Sequence, residues 1–451
     1  MELVGITRSL RRPTAMVTVG ALLASGWDFS LPLGAGLSLR LVDVLAAAAA
    51  ASVIIAATAG WLPRLEPIGA LFLGLLAVLG FLAAVGQLTG GLPVRDATFG
   101  IRTTYLTVFA LAATLGFEEG QAKPRPLLNF LALGAILQAT LVLGQYALFL
   151  AFGPRGALAV DLGVKMAHLR DADDPLWWVG EVVRPTGSFS HPNAAGAFLA
   201  VGFLASLAWA LPTPERRGRF TRAIPPVLLA TAAVVTGSRG ALIVLGLPSL
   251  FLVTSAKVRP SVRALLVMGT SVLMAIALLA NAPGAPALEQ PFAGNPWQGG
   301  PGAKTLSRFG SILQLSQLQT ARGRVATWRD GTSLIGDYPQ GAGLTHVLAG
   351  LRSASGVGAA HNSYLLVAAA LGVPMGAVFL ALCGFAAHRC HARARDAQSD
   401  STEWRIATAV IAGFLISLLL EDRVQDMTSL VGPGVLFGLA LLRPADHGVR
   451  P

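Results

Sequence analysis

Charge is scarce in this chain. Only 13% of its 451 residues are Asp, Glu, Lys or Arg, about half the share that a soluble domain carries. Cysteine is scarcer, with Cys383 and Cys390 alone. They lie close together at one end of one apolar run, so no disulfide framework is available. Together with His388 and His391 they suggest a metal centre, but their spacing matches no zinc-ligand pattern, and a helix end at a membrane surface accounts for them. There is no phosphate-cradling Gly-rich loop closed by Lys-Ser/Thr and no Gly-X-Ser-X-Gly, which disfavours nucleotide-driven and serine-hydrolase chemistry.

What the chain has in abundance is hydrocarbon. It is 54% hydrophobic, in repeated runs of about 18–25 residues, the length a helix needs to cross a bilayer. This predicts an all-α polytopic membrane protein of about twelve transmembrane helices: 13–27, 41–62, 67–88, 99–117, 127–152, 194–211, 224–237, 240–256, 262–281, 363–388, 405–421 and 428–442. Arg8, Arg11 and Arg12 before the first run resemble a signal peptide, but the spans that follow favour an uncleaved first helix. With the N-terminus in the cytoplasm, the inside segments hold a majority of the 34 Lys and Arg and a minority of the 23 acidic residues. That is the positive-inside pattern, and it explains the net charge of +11 without nucleic acid. Both termini are then cytoplasmic. The organisation is a membrane domain over 1–281 with spans 1–9 and an outer loop 153–193, a large outer loop over 282–362, and spans 10–12 over 363–451.

This orientation gathers the polar stretches on one face. Arg184-Pro-Thr-Gly-Ser-Phe-Ser-His191-Pro-Asn193 leads into the sixth span, where Asn193 can cap the helix or meet a ligand. Arg239, in the turn Thr236-Gly-Ser-Arg-Gly240, either snorkels to head groups or faces a cavity, where a charge beside the membrane is usually functional. The large loop contains a helix-like stretch, 306–335, with Arg308, Arg322, Arg324 and Arg329. Arg308 and Arg329 read as a solvated face, whereas Arg324 and Trp328 share a helical face. Guanidinium forks match phosphate oxygens. His361-Asn362 opens the tenth span, and histidine suits proton transfer near neutrality. Glu421, Asp422, Arg423 and Asp426 occupy the same face, either binding an acceptor or pairing with the arginines.

These motifs, in this order, resemble the O-antigen ligase and polymerase superfamily of bacterial envelope glycosyltransferases. The likeness rests on Arg184–Asn193, Thr236–Gly240, Arg324-Val-Ala-Thr-Trp328 with Gly341-Ala-Gly343, and His361-Asn-Ser-Tyr-Leu-Leu with Gly372 and Gly376. It covers roughly residues 184–376. The family often has two glycines three apart after its His-Asn pair; here they are four apart around Pro374.

The resemblance implies a GT-C-like fold in the bacterial inner membrane with a periplasmic active face. It implies a glycan donor on undecaprenyl diphosphate, an acceptor that is lipid A-core or another lipid-linked glycan, and no metal or other cofactor. His361 would be the base, and Arg239 and Arg324 would clamp the diphosphate. Arg184, His191, Asn193, Arg322, Trp328 and Asn362 would contact substrate. Ligase is the favoured reaction, with polymerase as the alternative. A transporter is the alternative from another class, but it should carry charges near the bilayer midplane and paired broken helices, whereas these spans have almost no charge at their centres.

Overall fold

The computed structural model describes residues 20–21, 30–34, 37–60, 65–115, 123–152, 178–179, 182–183, 185–189, 191–211, 223–255, 258, 260, 263, 266, 319–355, 361–396, 401–421 and 428–442. The chain is helical, with two short antiparallel ribbons: β1 (Ser30–Gly34) with β2 (Leu37–Arg40), and β3 (Trp178–Val179) with β4 (Val182–Val183). Six helices among the described residues are long and apolar enough to cross a membrane. They are α1 (Leu41–Thr58), α2 (Pro67–Thr89), α5 (Pro124–Phe152), α6 (Pro192–Ser206, continued by a 3-10 turn), α12 (Val373–Asp396) and α13 (Ser401–Leu420).

The expected twelve spans differ from this at identifiable places. Residues 99–117 do not form one helix. They divide into α3 (Val94–Thr103) and α4 (Tyr105–Leu115), where the Thr103 and Thr104 hydroxyls donate back to the Gly100 and Ile101 carbonyls and compete with the helical ladder. α7 (Ile224–Val235), α8 (Arg239–Thr254) and α14 (Thr428–Leu441) are shorter than a full span. The spans expected at 13–27 and 262–281 fall almost wholly outside the described residues.

The largest correction concerns 363–388, which is not one continuous helix: a short helix turns back into the candidate span α12. α11 (Ser363–Leu371) stops at Gly372, whose φ is 97°, and α12 runs back beside it. Tyr364 meets Phe379 at 5.8 Å between ring centroids, and a Cβ on Gly376 would stand 2.6 Å from that of Ala368. Both pairings are too close for a continuous helix rising 1.5 Å per residue. The reversal frees carbonyls that hydrocarbon cannot satisfy. Ala342 N–H bonds Ala369 O (2.9 Å), Gly343 N–H bonds Ala370 O (3.0 Å), and the buried Gln87 amide reaches Ala370 O (3.2 Å). Backbone packs on backbone here: a Cβ on Gly341 would lie 2.7 Å from Gly372 N, and one on Gly372 would lie 2.8 Å from Gln340 O.

α6 forms the centre, packed by α5, α7, α8 and α13 and buried along almost its whole length. Its small residues permit this, since lipid gives little hydrophobic drive and close packing must hold the helices. A Cβ on Gly202 would stand 2.2 Å from that of Ala135 in α5. At one end of the bundle basic residues stitch helix termini together. Arg125 contacts Glu403 (3.5 Å) and Leu211 O (3.0 Å), Arg389 contacts Glu66 (3.3 Å), Arg393 donates to Leu442 O and stacks 5.0 Å from the Trp404 ring, and Arg405 donates to Ser255 Oγ. The opposite ends of α6, α8 and α13 converge with the start of α11.

Candidate active site

The site is assembled where α13 ends and α8 and α11 begin. Thr236 and Gly237 turn the chain between α7 and α8. Gly237 has φ 62°, and the Ser238 hydroxyl caps α8 by accepting from Ala241 N–H (3.2 Å). Arg239 is thus the first residue of α8. A Cβ on Gly196 would stand 2.6 Å from Thr236 Oγ1 and 2.7 Å from Ser238 Cβ, so the first turns of α6 lie directly against this turn.

α6 itself is entered differently from the sequence expectation. Its cap is His191, not Asn193: Asn193 N–H donates to His191 Nδ1 at 3.1 Å, with Pro192 as the first helical residue. Proline lacks an N–H and has a helical φ already set, which makes it suited to the first position and hands the cap to the residue before it. The preceding turn is clamped from α5 by two fully buried glutamines that the sequence reading passed over. Gln145 accepts from Thr186 N–H (3.2 Å) and Gly187 N–H (2.8 Å) and donates to Gly187 O (2.9 Å). Gln138 donates to Thr186 O (3.0 Å) and accepts from the Ser188 hydroxyl (3.0 Å). Arg184 lies outside the described residues.

From the large loop come α9 (Gln319–Asp337) and α10 (Leu344–Ser355). The helix expected over 306–335 is seen from 319; Arg308 lies outside the described residues, and Arg322 stands on the first turns of α9. Asp96 ties α10 to α3, accepting from Thr345 N–H (2.8 Å) and its hydroxyl (2.7 Å). α9 packs on α11. As their spacing predicts, Arg324 and Trp328 face the same place. Arg324 Nη2 contacts Glu421 Oε1 at 2.9 Å, and Trp328 Nε1 points to His361 O at 3.4 Å.

His361 and Asn362 do separate work. Asn362 is buried and caps α11, accepting from Tyr364 N–H (3.0 Å) and Leu365 N–H (3.1 Å). His361 has φ 47°, the only positive φ at a non-glycine among the described residues, a sparsely allowed conformation that persists only where surroundings impose it. Its Nδ1 faces Glu421 Oε2 at 3.6 Å. That is ion-pair contact, longer than a hydrogen bond. The Glu421 side chain is 9% exposed, against 26% for His361 and 25% for Arg324. Its carbonyl accepts from the Ser363 hydroxyl at 2.8 Å, and a Cβ on Gly240 would lie 3.6 Å from its Oε1. Glu421 therefore ties the end of α13 to α9 and to the start of α11, beside the first turn of α8. Asp422, Arg423 and Asp426 lie outside the described residues.

Arginine, histidine and a shared carboxylate meet at one helix junction, and most of these residues lie in a stretch that resembles a known family. Residues 225–380 match the family model described as O-antigen ligase. That segment is similar to the O-antigen ligase family. That match supports a glycosyltransferase-type enzyme of the O-antigen ligase and polymerase superfamily, acting on lipid-linked glycans at a membrane. The ligase-family segment runs from α7 into α12 and takes in Arg239, Arg324, Trp328 and His361; Gln138, Gln145, His191 and Glu421 lie outside it. A comparison with curated proteins finds no match.

Proposed function

We propose that this protein transfers a glycan from undecaprenyl diphosphate to a sugar hydroxyl of lipid A-core at the periplasmic face of the inner membrane, in a GT-C-like fold. The observation that carries this reading is the meeting of Arg324 and His361 on one buried carboxylate within a ligase-family segment. The acceptor hydroxyl attacks the anomeric carbon as His361 takes its proton. The bond from that carbon to the diphosphate oxygen breaks, and undecaprenyl diphosphate leaves with the electron pair. Attack opposite the leaving group inverts the anomeric carbon.

Charge develops on the diphosphate, and fixed cations aimed at it lower the barrier most in a water-poor site. Arg324 has five N–H donors and directs Nη2 to Glu421, which leaves donors for phosphate oxygens. Arg239 is the first residue of α8, where the helix N-terminus also favours an anion. Two arginines supply the charge that a divalent cation supplies elsewhere, so the reading assigns no metal or cofactor. Arg184, Arg322, Trp328, His191, Asn193 and Asn362 are the remaining candidates for substrate contact. His191 and Asn362 act first as caps.

The test is transfer from purified lipid-linked glycan in proteoliposomes. His361→Ala and Arg324→Ala are expected to lose on the order of 10²-fold or more in rate, and wild-type transfer to persist in EDTA. Wild-type rates in both variants would sink the assignment. Glycan on lipid A-core identifies a ligase, a ladder of longer lipid-linked glycans identifies a polymerase, and solute flux without donor would point to a transporter.

A further inference from the structure

We infer that Glu421 is the positioning residue of this site, orienting His361 as a base while it holds Arg324 beside it. The inference rests on the glycosyl-transfer reading above and adds to it a residue outside the ligase-family segment. Four observations carry it. Glu421 stands just past the C-terminus of α13, where the helix dipole disfavours an anion, so the helix itself gains nothing from a carboxylate there. The side chain is nevertheless almost fully buried. Its two oxygens are divided between the two residues assigned to the chemistry, Oε1 to Arg324 at 2.9 Å and Oε2 to His361 Nδ1 at 3.6 Å. Its backbone is tied to the hairpin by Ser363, two residues beyond His361.

The chemical consequence concerns the tautomer. A carboxylate accepts and cannot donate, so the imidazole presents its N–H to Oε2 from Nδ1. The lone pair then resides on Nε2, the nitrogen left to receive the acceptor proton. When that proton arrives, the same carboxylate stabilises the imidazolium. Closing the 3.6 Å contact by about 0.6 Å makes a full hydrogen bond, and such contacts often tighten only in the substrate complex. The other oxygen holds a guanidinium against the same point, so the proton acceptor and the phosphate ligand keep a fixed separation.

The discriminating variant is Glu421→Gln. Its amide oxygen can still accept from Arg324, which turns the NH2 group toward His361 Nδ1 and favours the wrong tautomer. We expect kcat to fall on the order of 10²–10⁴-fold, while KM for lipid-linked donor changes by less than about threefold. Glu421→Asp, which keeps the carboxylate, should recover part of the loss. Nitrogen-15 spectra of histidine-labelled protein, with His361 assigned through His361→Gln, should show the Nδ1–H tautomer in the wild type and its loss in Glu421→Gln. Wild-type kcat in Glu421→Gln, with His361→Ala inactive, overturns the role of Glu421 and leaves the reaction standing. Full activity in His361→Ala overturns the reaction, and the spectra still decide whether Glu421 sets the tautomer. Should Glu421→Gln fail to insert, Glu421→Asp carries the test: the shortened carboxylate withdraws from His361, and an unchanged kcat overturns the proposal.

Discussion

His361 stands in a backbone region that costs an L-residue about 1–2 kcal/mol, yet its φ is 47°. Asn362 caps α11 immediately after it, and Trp328 Nε1 points to its carbonyl. Both fix the backbone so that the imidazole leaves the helix toward Glu421. The strain separates two substitutions that a purely side-chain view would equate. His361→Gly removes the base and relieves the backbone, whereas His361→Ala removes the base alone. Both should be inactive, but thermal unfolding in detergent should find the glycine variant more stable by about 1 kcal/mol. Equal midpoints would remove strain from the account. His361, Arg324 and Trp328 were legible because histidine is rare here and the other two share a helical face by spacing. Glu421 was visible only as one of four candidates, because its partners lie 97 and 60 positions away, and no local pattern encodes that pairing.

At the scale of elements, the α11–α12 hairpin is the feature that periodicity missed. Residues 363–388 are almost uniformly apolar, so nothing in their hydropathy marks a reversal; the local signal was Gly372 followed by Pro374. Three glycines at positive φ, Gly341, Gly343 and Gly372, allow the loop backbone to close onto the hairpin tip. Gly372→Ala should lower thermal stability by more than about 1 kcal/mol, and an unchanged midpoint would show that the tip yields easily. The α5 clamp predicts a parallel effect. Gln145→Leu strands the Thr186 and Gly187 N–H groups in the protein interior and takes one of two donors from Gly187 O, at about 1–3 kcal/mol for each unsatisfied group. Gln138 and Gln145 went unnoticed because they are isolated polar residues in an apolar run, and their partners are backbone atoms. The His191 cap was legible in principle: Pro192 already marked the first helical position.

Across the whole molecule, the bundle has two unlike ends. One joins helix termini through Arg125, Arg389, Arg393 and Arg405; the other carries Arg324, His361 and Glu421. The charge asymmetry read from loops is thus also an asymmetry of packing. Both native cysteines are buried, which gives a quiet background for labelling. Ser353→Cys, at an exposed position of α10, should react with a membrane-impermeant maleimide in intact spheroplasts. Arg395→Cys, where the native side chain is 75% exposed, should react only after permeabilisation. The reverse pattern would invert the proposed orientation. Helical class and much of the membrane domain followed from apolar runs alone, whereas a count of spans did not, because run length cannot tell a crossing from a hairpin or a split helix.

The placement of Glu421 also has a consequence for biogenesis. The ribosome delivers Arg324 and His361 before it delivers α13, so a nascent chain holds both without their shared carboxylate. On the tautomer argument, such a chain is inserted but idle. Competence arrives only when α13 docks, which makes a late step of synthesis the one that licenses chemistry on a lipid-borne glycan.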